Sequence, residues 1–202
     1  IGLELGVKDG TVVFPGGLVP THQIEALFRR VVAGAGEVAG FDRLQIPFRA
    51  VATDLQSGEM VVFDHGDLAV AMRASMAVPG AFAPVEFEGR VLVDGMLVRN
   101  LPVDVARQAC ADIVIAVPVG NPAISRDKFT RLTSVVGQAM NIAVEANEKA
   151  QLATLTDKDV LVPVLLKDIG SSDFAEVPRA IPIGEEAARA AAASLSRYSL
   201  SA

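Results

Sequence analysis

Hydrophobic and polar positions follow two different periods along the chain, and together they predict a mixture of helices and strands. After Thr21, a residue type that often caps a helix, apolar residues at helical spacing predict a helix of about 12 residues. The same spacing predicts four more helices, which run from Asp67 to Ala74, from Pro102 to about Ala109, from about Arg126 to Leu155 and from about Pro182 to Tyr198. The apolar face of the helix from Arg126 to Leu155 is expected to pack in the core.

Strands are predicted where short apolar segments flank turn residues. Residues 47–54 and 59–63 lie on either side of Gln56-Ser57-Gly58, and residues 82–87 and 90–93 on either side of Glu88-Gly89, which predicts two hairpins. A short strand or hairpin is also predicted near residues 10–14. The apolar runs 113–117 and 160–165 are typical of strands covered on both faces. Alternating helices and buried strands indicate an α/β layered fold with a largely parallel sheet.

Length and charge limit the classes of function. At 202 residues the chain can form one sizeable core, and nothing in it requires a second domain. A net charge of −6 argues against nucleic acid as a partner, because no basic stripe could neutralise phosphates. Any membrane contact would have to be local and apolar, and no apolar run approaches the roughly 18 residues of a membrane span. The single cysteine, Cys110, is predicted to be a core thiol.

The most informative segment surrounds Asp94. The strand 91–93 ends in Asp94-Gly95, and α/β folds build their sites beyond the carboxyl ends of such strands. Gly95 is expected to let the backbone turn sharply and to leave room beside the carboxylate. Pro79-Gly80 is expected to shape the backbone near a pocket, and Asn100 to hold the Asp-Gly turn by side-chain hydrogen bonds. Taken alone, however, Asp-Gly is only a turn signal.

The order and spacing of three short motifs add to that signal. Residues 75–84 read Ser-x-Ala-x-Pro-Gly-x-Phe-x-Pro, Asp94-Gly95 ends the next strand, and Asn100-Leu101-Pro102 follows. This arrangement resembles the second signature of the patatin-like phospholipases, most closely the bacterial type, and the resemblance covers roughly residues 1–195. One departure is Met96, where the family usually has Gly or Ala.

The resemblance implies a fold and a domain organisation. The fold would be a three-layer sandwich with a mainly parallel central sheet, and this chain would lack its N-terminal strands. Residues 1–202 would then form the C-terminal part of a single hydrolase domain. An apolar patch is expected to be exposed in this piece alone.

The resemblance also implies an activity. The family hydrolyses lipid acyl esters, as a phospholipase A or lysophospholipase, with a Ser-Asp dyad in which Asp94 would take the serine proton directly. It implies no cofactor and no metal. Because the chain has no Gly-x-Ser-x-Gly, the serine and its Gly-rich oxyanion loop are expected in an upstream segment, and the 202 residues alone are expected to be inactive. The alternative is an inactive interaction or secretion-passenger module. Met96, which departs from the family pattern beside Asp94-Gly95, is the local feature that suggests it. The sequence does not decide between a cytoplasmic location and a secreted or outer-membrane-associated one.

Other polar residues are predicted to have structural roles. His22 and His65 are expected at a helix start and in a surface loop, with no Ser-His-Asp spacing, and Ser75 lacks the glycines that flank a nucleophile. Carboxylates on the first hairpin are expected to be solvated. A nucleotide-binding domain is a weaker interpretation, since no phosphate-binding glycine motif is present.

Overall fold

The structure is a computed structural model that describes residues 6–8, 11–13, 21–34, 37–120, 132–170 and 173–199. The chain divides into two compact units, Ile1–Asn100 and Leu101–Ala202. The elements of the first unit are β1 Gly6–Lys8, β2 Thr11–Val13, α1 Thr21–Val31, β3 Glu37–Val38, β4 Ala50–Asp54, β5 Met60–Phe63, β6 Gly66–Asp67, α2 Leu68–Ser75, β7 Val85–Phe87, β8 Arg90–Asp94 and α3 Met96–Arg99.

A four-stranded sheet with the order β5-β4-β8-β7 forms the centre of the first unit, and every neighbouring pair in it is antiparallel. Both predicted hairpins are confirmed, as β4–β5 and β7–β8, and the short N-terminal hairpin as β1–β2. Strand β4 is buried along its whole length, because β5 and β8 flank it and α2 packs on the sheet. The buried core comprises Phe41, Ala50, Ala52, Phe63, Leu68, Ala71, Ala74 and Leu92.

Helix α2 begins as the sequence predicts. The Asp67 carboxylate accepts hydrogen bonds from the N–H groups of Ala69 and Val70, at 2.9 and 3.2 Å, and so satisfies two donors that the first turn leaves unpaired. Helix α1 also begins at Thr21 as predicted. The start of α2 thus depends on local chemistry, which the sequence carries.

The second unit contains α4 Val103–Gln108, β9 Ile115–Ala116, β10 Val119–Gly120, α5 Leu132–Leu152, β11 Val160–Leu161, β12 Val164–Leu165, α6 Val177–Ala190 and α7 Ala192–Leu195. Strand β9 pairs with β11, and β10 with β12, both in parallel. The predicted helix start at Arg126 lies outside the described residues. The last helix begins at Val177 rather than Pro182, with Pro178 in the first turn, where its lack of an N–H has no consequence.

Asp159 joins three segments of the second unit. Its side chain is 1% exposed. Its carboxylate accepts hydrogen bonds from the N–H of Val114, from the N–H and hydroxyl of Thr156, and from the Arg107 guanidinium. These bonds, above all the one from the Thr156 N–H, hold the pKa of Asp159 far below its usual range. The carboxylate thereby fixes the start of the parallel pairing.

The fold is a mixed α/β arrangement, and it differs from the predicted one in the sheet. The largest sheet among the described residues is antiparallel, whereas the parallel pairs are only two residues long each. Hairpin turns account for the antiparallel pairs β4–β5 and β7–β8, because they join neighbouring strands in opposite directions. The pair β4–β8 is antiparallel as well, although no hairpin connects its two strands. The runs 113–117 and 160–165 were predicted to be covered on both faces, but Ile115 and Leu165 are 53% and 67% exposed.

Two further burial predictions are wrong. Cys110 is exposed rather than in the core, because it follows the end of α4 with a φ of 66°. The apolar face of α5 was predicted to pack in the core, yet Val136 is 49% exposed. Cys110 and Val136 both lie in apolar patterns at helical spacing. Such a pattern shows that a helix face could be buried, but it does not show that another element packs against that face.

Candidate functional site

Asp94 is the last residue of β8, and its main chain is held from two directions. The Asp94 N–H donates to the Ala77 carbonyl at 3.0 Å, and the Thr53 hydroxyl donates to the Asp94 carbonyl at 2.8 Å. In the sheet register Asp94 lies opposite Ala52 of the buried strand β4. The backbone that carries the carboxylate is therefore attached to the core of the first unit.

The Asp94 carboxylate is half-buried and accepts one hydrogen bond, from the Met96 N–H at 2.8 Å. In the part of the chain that the structure describes, no other donor contacts it, so the carboxylate keeps acceptor capacity for a further proton or hydroxyl. Burial raises the pKa of Asp94, and the Met96 hydrogen bond opposes that shift. The structure thus places a carboxylate of increased basicity at a strand end.

Gly95 has a different role from the predicted one. Its φ of −64° and ψ of −18° are helical, so no sharp turn requires glycine there. The requirement is space, because a Cβ on Gly95 would lie 2.3 Å from the carbonyl oxygen of Val51 and 2.7 Å from its carbonyl carbon. Gly95 also begins α3, since its carbonyl accepts the N–H groups of Val98 and Arg99. The β4 backbone fills the space beside Gly95.

Residues 76–84, called the signature loop below, connect α2 to β7. Gly80 has a φ of +85°, which other residues rarely adopt, and the Val78 carbonyl accepts the N–H groups of Ala81 and Phe82. Pro79-Gly80 thus lies at a tight bend of the loop whose Ala77 holds Asp94. Asn100 is exposed and follows the last residue of α3. It was expected to hold the Asp-Gly turn, but the hydrogen bond to the Asp94 carboxylate comes from the Met96 N–H.

The remaining candidates make contacts within their own loops, and Asp54 is buried rather than solvated, 7% exposed. The exposed His65 contacts Asp64, and Ser57 and Asp54 accept N–H groups inside their own turn. The side chain of His22 lies outside the described residues. Across the ranges that the structure describes, no group of three or more His, Cys, Asp or Glu side chains is placed to hold a metal ion. None of the described helices combines the length and the apolar character needed to cross a membrane.

Two features of the site were not predicted from the sequence. Helix α3 begins directly after Asp94-Gly95. The Asp two positions before Met96 could have predicted this start, because Asp is common just before helices. Arg73 is only 3% exposed, although it was not singled out. In the sequence, Arg73 comes four positions after Ala69 and therefore lies on the same face of α2. That face is the one whose residues are buried.

Comparison with known proteins gives the family. The model of the patatin-like phospholipase family matches residues 3–107, which is 105 of the 202 residues and includes the signature loop, Asp94 and Asn100. The chain belongs to the patatin-like phospholipase family. The match ends at residue 107, whereas the resemblance seen in the sequence was taken to extend to about residue 195.

Relatives of this patatin-like chain align over about half of its length. An uncharacterized NTE family protein of Mycobacterium bovis is 43% identical over 101 residues, which are 50% of this chain and 27% of that protein. The patatin-like phospholipase domain-containing protein 7 of Mus musculus is 41% identical over 93 residues, which are 45% of this chain and 6% of that protein. The patatin-like phospholipase domain-containing protein 6 of Mus musculus is 34% identical over 96 residues, which are 46% of this chain and 7% of that protein. The aligned part is thus a small share of each relative.

Proposed function

We propose that this patatin-like chain contributes the acidic member of a Ser-Asp dyad to a hydrolase of lipid acyl esters, of the phospholipase A or lysophospholipase type. The observation that carries the proposal is the Asp94 carboxylate: half-buried at the end of β8, attached through its main chain to the core, and with its pKa raised by burial. A base is most effective when its pKa lies closer to the working pH than that of an ordinary aspartate. Membership of the family supports the choice of reaction.

In the proposed reaction a serine hydroxyl oxygen attacks the ester carbonyl carbon while its proton passes to Asp94. The tetrahedral intermediate collapses, the alcohol leaves with the proton from Asp94, and an acyl-serine remains. Water then attacks the acyl-serine, gives its proton to Asp94, and the fatty acid is released as the serine recovers its proton. No histidine and no metal takes part in these steps.

We place the serine and the oxyanion loop in a segment upstream of these 202 residues, since no Gly-x-Ser-x-Gly occurs within them. That segment would add parallel strands and complete a three-layer sandwich in a single hydrolase domain. The substrate would be a phospholipid or another acyl ester, reached through local apolar contact with a membrane surface. Backbone N–H groups of the oxyanion loop would stabilise the developing negative charge.

The test uses the full-length protein and the variant Asp94→Asn. Asparagine keeps an oxygen that can accept the Met96 N–H, but it cannot take a proton, so turnover of a lysophospholipid should fall by about 10²-fold or more. The matched control is Asp157→Asn, which changes an exposed carboxylate of the second unit and should leave turnover unchanged. Wild-type turnover by Asp94→Asn would refute the role given to Asp94.

A fluorophosphonate probe distinguishes the alternative, an inactive interaction module. A folded full-length protein that is neither labelled nor able to turn over any acyl ester would be such a module. The contact from Met96 to Asp94 is made by the backbone, so it does not depend on the side chain that departs from the family pattern. We therefore expect labelling at serine in the wild-type protein, and slower labelling in Asp94→Asn.

A further inference from the structure

Arg73 is a buried charge in the last turn of α2. It is 3% exposed, its Nη2 group donates to the Ala83 carbonyl at 2.6 Å, and its guanidinium carbon lies 5.8 Å from the centre of the Phe82 ring. A cation over a ring face at this distance is attracted by the ring electrons. Both contacts are to the C-terminal end of the signature loop.

The N-terminal end of the same loop holds Asp94. Ala77, which is fully buried, accepts the Asp94 N–H through its carbonyl. Between the two ends lies the bend at Gly80, and Phe82 is itself buried, 6% exposed. Arg73 and Asp94 are therefore joined by one short, internally hydrogen-bonded segment.

The burial of Arg73 carries a desolvation cost. Desolvation lowers the pKa of Arg73, and within the described residues its Nε and Nη1 groups have no acceptor although both are buried. Buried donors without partners are rare in native proteins, and each one calls for an explanation. The contacts of Arg73 with the loop are thus better explained by what they position than by what they stabilise.

We propose that Arg73 is a positioning residue that fixes the signature loop, through Ala83 and Phe82, in the conformation that sets the place of the Asp94 carboxylate. The inference rests on the proposed role of Asp94 as the base. It predicts that loss of the guanidinium allows the loop to shift and moves Asp94 relative to the serine. Reacting groups misplaced by about 1 Å can lose about 10²-fold in rate.

The experiment compares Arg73→Met and Arg73→Lys in the full-length protein, with Arg90→Met as control. Arg90 lies on the same strand as Asp94 but is exposed, and its variant should match the wild type. Arg73→Met should remain folded and lose about tenfold or more in kcat at a nearly unchanged KM. Arg73→Lys keeps the charge and can still donate to Ala83, so it should lose less. Wild-type kcat in both Arg73 variants would overturn the inference.

A double-mutant cycle with Asp94→Asn separates positioning from a merely structural effect. If Arg73 acts through Asp94, Arg73→Met should add little to the loss that Asp94→Asn already causes, measured as the rate of serine labelling. If the rate losses of Arg73→Met and Asp94→Asn multiply in full in the double variant, the inference is overturned. If Arg73→Met does not fold, the same cycle is measured with Arg73→Lys in its place. Wild-type turnover in Asp94→Asn would instead refute the proposed function, so the two failures are distinguishable.

Discussion

Replacing Gly95 with alanine tests the close contact on which the Asp94 site is built. The added Cβ would lie 2.3 Å from the Val51 carbonyl oxygen, whereas ordinary contacts of a Cβ lie at 3.4–4 Å. The obstructing atoms are backbone atoms of the central strand β4, which cannot rotate away as a side chain could. Strand β4 and the start of α3 must therefore separate by about 1 Å.

The expected cost follows from that separation. Overpacking of a well-packed site costs roughly 1–3 kcal/mol, and here a strand bonded on both sides has to move, so we expect about 3 kcal/mol. Alanine also reduces the entropy of the unfolded chain, a gain of about 0.4–1 kcal/mol at a permitted φ, which is too small to offset the clash. The net expectation is a loss of about 2 kcal/mol in the free energy of unfolding.

Urea unfolding of the full-length protein measures this loss, as a lower midpoint at an unchanged slope. The matched control is Gly40→Ala, because Gly40 is extended, with a φ of −173°, and a Cβ there would meet nothing within 4 Å. Turnover by Gly95→Ala should also fall, because Asp94 moves with its neighbour. Equal unfolding midpoints for the two variants, with unchanged turnover in Gly95→Ala, would refute the argument from space.

Two further predictions concern carboxylates. Because the folded-state pKa of Asp94 is raised, its contribution to stability is present below the unfolded-state pKa and is lost as the pH rises through the folded-state value. Asp94→Asn should therefore unfold at a higher urea concentration than the wild type at neutral pH, and the difference should vanish near pH 3; a constant difference at all pH values would contradict this. Asp159 has the opposite shift, so its contribution is present at neutral pH and is lost only in acid. Asp159→Asn should cost about 2–3 kcal/mol at pH 7, because it weakens charged hydrogen bonds to Arg107 and Val114, and the exposed Asp157→Asn should cost almost nothing.

The local parts of this molecule could be predicted from the sequence. The hairpin around Ser57-Gly58, the cap at Asp67 and the bend at Pro79-Gly80 each depend on residues within a few positions of one another. The carboxylate at Asp94 was recognisable for the same reason, because it closes a short strand next to a family motif. Short-range chemistry is written directly in the order of residues.

The tertiary structure alone decided which long-range neighbours meet. That Gly95 must be glycine follows from the approach of Val51, 44 positions earlier, and not from its own backbone angles. The burial of Arg73 against the signature loop and the exposure of Ile115 depend likewise on what packs around them. A sequence pattern states which side chains gain from burial, but the packing of distant segments determines which of them are buried, and that packing sets the environment of Asp94.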